Sequence, residues 1–172
     1  MINYGRWGKE WITVKSQPPI SPEQRLVALG LTLPEAPAPA GLYLPARQSG
    51  STLYVSGTVA AQAPASVPVI GKVGTDLTLD QARVAARLTG LAVLAAIRAQ
   101  AGSLDAVAGI LKVLGMVNCA PGFTRTPEVI NGCSELFVEV FGDAGRHARS
   151  AIGVAELPFG MAVEIEMVVE LA

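Results

Sequence analysis

The sequence predicts an α+β sandwich: a mixed or antiparallel sheet carrying two principal helices on one face. Three observations support it. Residues 79–101 place apolar side chains at intervals of three and four, residues 126–142 carry a second apolar stripe, and Met161 to Glu170 alternates as a half-buried strand does. With 172 residues the chain suits a single domain over residues 21–172, preceded by an extension or leader over residues 1–20.

Composition narrows the function classes. Hydrophobic residues make up 51% of the chain and charged residues 16%, with a mean hydropathy of +0.43. Part of that apolar surface is expected to meet other subunits. Arg83, Arg87 and Arg98 break the longest apolar segment short of the run of about 18 residues that a membrane span needs, so a soluble protein without a membrane partner is expected. The formal net charge of −1 offers no footprint for nucleic acid. Cys119 and Cys133 lack metal-ligand spacing and fit reduced thiols in a cytoplasm, and a single histidine, His147, argues against a His-based metal site.

Taken in order, residues 1–20 show no period but hold both tryptophans, Trp7 and Trp11. They read as an arm, a leader, or a segment that docks on a neighbouring subunit. Ser21-Pro22-Glu23-Gln24 is a helix start with a capping box, and Gly30 ends that short helix. Prolines 34, 37 and 39 stiffen the connection into residues 41–48, an extended piece whose prolines confine it to an edge or bend. Thr52 to Gly57 is a strand of β-branched and aromatic residues. Thr78-Leu79-Asp80-Gln81 repeats the capping box and opens the long helix, about residues 79 to 101, which Gly102 closes. A strand over about 107 to 118 follows. Thr126-Pro127-Glu128 starts the second helix with Thr126 as its hydroxyl cap, and Gly142 ends it.

The last two runs, 145–155 and 161–170, read as a β-hairpin across Leu157-Pro158-Phe159-Gly160. Met161, Val163, Ile165, Met167 and Val169 form the core row, and Glu164, Glu166, Val168 and Glu170 face the other way. In the preceding strand the more apolar set is Ser150, Ile152 and Val154, so Arg149, Ala151 and Gly153 are expected on the uncovered face beside Glu164. Pairing about Leu157-Pro158 sets Arg149 opposite Glu166 and one diagonal step from Glu164. Either these are ordinary cross-strand charge pairs, or an arginine and a carboxylate beside two small residues form a small anionic site.

Several segments together resemble the reactive-intermediate deaminase (Rid, formerly YjgF) family over about residues 40 to 172. They are Leu53-Tyr54-Val55-Ser56-Gly57, residues 100–105, Val129-Ile130-Asn131-Gly132, His147-Ala148-Arg149-Ser150-Ala151, Leu157-Pro158 and Val163-Glu164-Ile165-Glu166. The helix at 21–30 and Asn131-Gly132-Cys133-Ser134 look like a less characterised branch. The resemblance implies a chorismate-mutase-like fold, about six strands with two main helices on one face, assembled as a homotrimer with ligand sites between subunits. It implies that Arg149 binds a substrate carboxylate, that Glu164 holds the attacking water, and that Tyr43 and Asn131 contact substrate. The implied reaction converts 2-imino or enamine acids, such as 2-aminoacrylate, to 2-oxo acids and ammonia with no metal or cofactor.

The residue types suit that chemistry, because a guanidinium matches a planar carboxylate with two parallel donors and a carboxylate can accept a proton from water. Alternatives stay open at each position. Glu166 shares the face of Glu164 and is a second candidate for the water. Tyr43 is otherwise an edge aromatic, Asn131 a satisfier of backbone groups, and Cys133 a buried small residue. Ala151 stands where many members carry cysteine, and the loop between Cys119 and Asn131 is longer. A non-catalytic trimer that binds small carboxylates is the second reading, and RNA cleavage or translation inhibition the third. The leading reading requires Arg149 and Glu164 to project together into a crevice walled by a neighbouring protomer.

Overall fold

In the computed structural model, which describes residues 20–39 and 41–172, helix α1 (Pro22–Ala28) starts on the expected capping box. Ser21 Oγ accepts from the Gln24 amide (3.4 Å) and Gln24 Oε1 accepts from the Ser21 amide (3.0 Å). Helix α2 (Leu79–Ala101) repeats the device with Thr78 and Gln81, and Gly102 closes it at φ 82°, a left-handed value that suits glycine. Helix α3 (Thr126–Phe141) begins differently from the expectation. Arg125 is its N-cap without a side-chain bond, and the Thr126 hydroxyl donates instead to the Ala151 carbonyl (3.1 Å). That hydroxyl ties the helix to the sheet rather than to its own first turn. Residues 1–19 of the proposed extension lie outside the described residues.

Among the described residues the sheet has five strands: β1 (Ala46–Ser49), β2 (Thr52–Val59), β3 (Val107–Asn118), β4 (Ala148–Val154) and β5 (Val163–Leu171), in the order β1-β2-β5-β3-β4. Of the segment expected to be extended, residues 46–48 lie in β1, while residues 41–45 bend past the edge. Pro45 has no N–H to donate to a ladder, and the segment is held by its Leu44 and Pro45 carbonyls, which accept from the Ser56 hydroxyl and amide. All pairs are antiparallel except β3 with β4.

The expected hairpin does not form. β5 inserts between β2 and β3, and β4 pairs in parallel with the far side of β3 as an edge strand. The reason is burial. Val163, Ile165, Met167 and Val169 are each at most 1% exposed, so the most apolar strand takes the centre. The chain therefore crosses from β4 to β5 through a 3-10 turn at Pro158–Gly160.

The core row of β5 is as read from the sequence, but that of β4 is inverted. Arg149 lies in register with Val113 and Met167, and Ala151 with Gly115 and Ile165, all on the side where α2 and α3 pack. Ser150 and Ile152 lie in register with Leu114 and Met116 beside Glu166 and Glu164, on the open side. Hydrophobicity ranked the faces wrongly because this side of the sheet is crowded beside Arg149: Thr126 at the start of α3 bonds to the Ala151 carbonyl, and the glycines of β4 and β3 have no room for a side chain. A Cβ on Gly153 would stand 2.7 Å from Cys119 Sγ, and one on Gly115 would stand 2.6 Å from Ile130 Cδ1.

The helix layer is equally tight. A Cβ on Gly132 of α3 would overlap the Arg83 carbonyl of α2, and one on Gly90 would lie 3.0 Å from Leu136. Outside this seam, Arg83 pairs with Glu135 (2.9 Å) and Arg87 with Glu139 (2.6 Å). α2 is long and apolar enough by composition to cross a membrane, yet here it packs its Val93, Leu94 and Ile97 into the sheet and α3.

Two glycine substitutions test this packing. Gly132→Ala should cost about 3 kcal/mol in urea unfolding, since backbone rather than a movable side chain blocks the new methyl. Gly109→Ala, whose Cβ would meet nothing nearer than 3.9 Å, should change stability by less than about 1 kcal/mol.

Candidate functional site

The inverted face of β4 carries Arg149 into the gap between the edge strand and α3, where it is half-buried. Its Nη1 donates to Asn131 Oδ1 (2.9 Å) and to Ser134 Oγ (3.1 Å), both on α3. Ser134 Oγ also meets His147 Nε2 (3.0 Å), and His147 Nδ1 donates to the Gly145 carbonyl (2.7 Å). The ring of His147 stands edge-on to Phe137, with centroids 5.9 Å apart. Burial lowers the His147 pKa first; the Gly145 bond opposes that, and repulsion from Arg149 adds to it.

Arg83, Arg87, Arg98 and Arg125 are each in an ion pair, whereas among the described residues Arg149 is bonded only to neutral acceptors, through Nη1. Nε and Nη2 remain, and they are a parallel pair of donors of the kind that a carboxylate accepts side-on. A half-buried charge held by neutral groups on one edge can take an anion on the other.

Glu164 lies elsewhere. It sits on the open face in the row Val59–Glu164–Met116–Ile152, two strands or about 10 Å from β4. The expectation that one chain presents Arg149 and Glu164 on a common face is overturned, because the register turns Arg149 toward the helices. Glu164 is half-buried beneath Gly57, where any Cβ would overlap its Oε1. Burial raises its pKa, and the charge of Glu166 raises it further. Glu166 shares the face, as read from the sequence, but is exposed.

Of the other predicted site residues, Asn131 joins Arg149 directly. Tyr43 does not. It stands 47% exposed before β1, at the sheet edge opposite β4, close in sequence to Leu44, whose carbonyl accepts from Ser56. The predicted residues thus lie apart: Arg149 with Asn131 at the β4 edge, Glu164 on the open face beneath Gly57, and Tyr43 before β1. Ser134 and His147 had no role assigned. Their spacing was nevertheless informative, since Ser134 follows Asn131 by one helical turn and His147 precedes Arg149 by two residues of a strand. Cys133 is buried, and desolvation pushes its thiol up to about 12.

A family model described as "YjgF/chorismate_mutase-like, putative endoribonuclease" matches residues 23–171. Over 147 residues the chain is 43% identical to Protein TCP17 of Trypanosoma cruzi, covering 85% of this chain and 91% of that protein. The crystal structure of Atu1372 from Agrobacterium tumefaciens superposes with a TM-score of 0.79 at 40% identity, covering 88% of this chain and 92% of that one. E. coli TdcF, solved with bound serine, superposes with a TM-score of 0.54 at 25% identity, covering 80% of this chain and 94% of that one.

The thiols offer a simple check of the site's packing. Iodoacetamide at pH 8 should leave Cys133 unmodified in the folded protein and label it after denaturation, as read by peptide mass spectrometry.

Proposed function

The chain belongs to the YjgF/chorismate-mutase-like (Rid) family, and from that premise we propose that it hydrolyses 2-imino and enamine acids to 2-oxo acids and ammonia in a cleft between two copies of the chain. The observation that carries this reading is the uncommitted Nε and Nη2 edge of the half-buried Arg149. A small carboxylate is the anion that fits it, and the serine bound by TdcF is of that class. Since Arg149 and Glu164 occupy different faces of one sheet, a site using both takes Arg149 from one copy and Glu164 from the next. A homotrimer is the assembly proposed, a ring of heterologous contacts in which the open sheet faces meet.

In this mechanism an enamine such as 2-aminoacrylate first takes a proton at C3 and becomes the 2-imino acid. Arg149 fixes its carboxylate, which orients C2. Water adds to C2 as Glu164 of the neighbouring copy removes its proton, and the electrons of the C=N bond move to nitrogen. The proton held by Glu164 passes to that nitrogen. Glu164 then takes the remaining proton of the new hydroxyl as the C=O forms and the C–N bond breaks, ammonia leaves the 2-oxo acid, and Glu164 returns its proton to solvent. The raised pKa of Glu164, caused by burial and the neighbouring Glu166, makes it a stronger base than an ordinary carboxylate. Tyr43 is assigned to the substrate's other side, and Asn131 to holding Arg149. No metal or cofactor is assigned a role, and the cytoplasm is the proposed compartment.

A second reading, a trimer that binds small carboxylates without turnover, is favoured by the separation of Arg149 from Glu164. RNA cleavage suits the chain less, because Glu164, Glu166 and Glu170 on the open face would repel phosphate and the net charge is −1.

Ammonia release from 2-aminoacrylate generated in situ decides between these readings. Arg149→Ala or Glu164→Gln should each lower the rate about 100-fold, and saturable pyruvate binding without any acceleration would leave the binder reading. Unfolding and refolding the two inactive variants together should restore about a quarter of wild-type activity, since that share of sites receives both intact groups. No recovery in mixed assemblies would exclude the two-copy site. Glu166→Gln should shift the acid limb of kcat to lower pH, because removing a neighbouring negative charge lets Glu164 ionise more readily.

A further inference from the structure

The polar chain behind Arg149 can be assigned donor by donor. The Gly145 carbonyl can only accept, so His147 Nδ1 carries a proton. In the neutral ring Nε2 is then an acceptor, and the Ser134 hydroxyl must donate to it. With its hydrogen committed, Ser134 Oγ has lone pairs to offer Arg149 Nη1. The second Nη1 hydrogen goes to Asn131 Oδ1. Both hydrogens of Nη1 are thereby consumed, and every group in the series has one role.

From this we infer that Ser134 and His147 are positioning residues: they lock the guanidinium by its Nη1 corner so that the Nε and Nη2 edge is presented to a carboxylate. The inference rests on the carboxylate reading of Arg149 and names what gives that site its selectivity. Arginine is long and loses much rotamer freedom when fixed, so holding it before the ligand arrives spares that cost on binding. Neutral acceptors suit the task. A carboxylate partner in place of Ser134 or Asn131 would neutralise the charge that draws the substrate.

The same geometry superficially resembles a serine nucleophile beside a histidine base. Two features speak against that use. Ser134 Oγ already shares a lone pair with a cation, which weakens a nucleophile, and it sits in mid-helix on α3 rather than on an exposed turn. Holding Arg149 uses every hydrogen bond in the chain.

The test is calorimetric titration of the full-length protein with pyruvate and with pyruvamide, its uncharged analogue. The wild type should bind pyruvate in preference to pyruvamide. Ser134→Ala should weaken pyruvate about tenfold while leaving pyruvamide as it was, so that selectivity collapses, whereas a merely structural loss would weaken both together. Ser134→Thr, which keeps the hydroxyl, should recover most of the loss. His147→Phe should behave as Ser134→Ala, and His147→Gln, whose Oε1 can take the place of Nε2, should recover most of the affinity. Wild-type selectivity in folded Ser134→Ala and His147→Phe would overturn the inference while leaving Arg149 as the carboxylate ligand. Pyruvate affinity unchanged by Arg149→Ala, or no pyruvate binding by the wild type, would overturn the carboxylate reading and this inference with it.

Discussion

The burial of the core row of β5 is the constraint on which the rest of the molecule depends. Val163, Ile165, Met167 and Val169 stand in a strand paired on both sides and covered by α2. A row so apolar is most stable where neither edge nor helix face meets water. Its central place forces the neighbouring strand in sequence, β4, to the outside of β3. Parallel pairing goes with the α3 crossover that joins β3 to β4, and the face on which Arg149 emerges follows from the register. A change in the order of two strands therefore decides where the principal charge of the site points.

Close packing on the helix side then makes the position of Arg149 tolerable. Glycine and alanine fill the strand beside Arg149, and Thr126 at the start of α3 bonds to the strand backbone. The opposite end of β4 is tied down by Lys72, whose ammonium reaches Asn118 Oδ1 (2.9 Å), the Ala155 carbonyl and Glu156 (3.0 Å). A guanidinium in such a gap loses hydration and must be repaid by hydrogen bonds. Asn131 and Ser134 supply part of that return.

The sheet separates Arg149 from Glu164. In the proposed mechanism anion binding falls to the helix side at one edge and proton transfer to the open side, where Glu164 is half-buried under Gly57. Their separation within one chain gives assembly a chemical purpose in the proposed mechanism, since the cleft is complete only where the edge of one copy meets the face of another.

Much of the local structure was legible in the residues. Capping boxes at Ser21 and Thr78, the glycine stops at Gly102 and Gly142, the span of β3, and the alternating core row of β5 all depend on contacts within a few residues, which a sequence displays directly. Family membership was legible for the same reason, in short motifs such as Leu53-Tyr54-Val55-Ser56-Gly57. What only the tertiary structure decided was which strands adjoin. Adjacent runs with a Pro-Gly connection look like a hairpin whatever the rest of the sheet demands, and the choice against it came from burying β5 at the centre. Crowding on the helix side then inverted the hydrophobic ranking in β4, because space rather than polarity selects residues there. Arg149 and Asn131 were identifiable one by one, but their union with Ser134 and His147, and their separation from Glu164, belong to the packing of a helix on an edge strand.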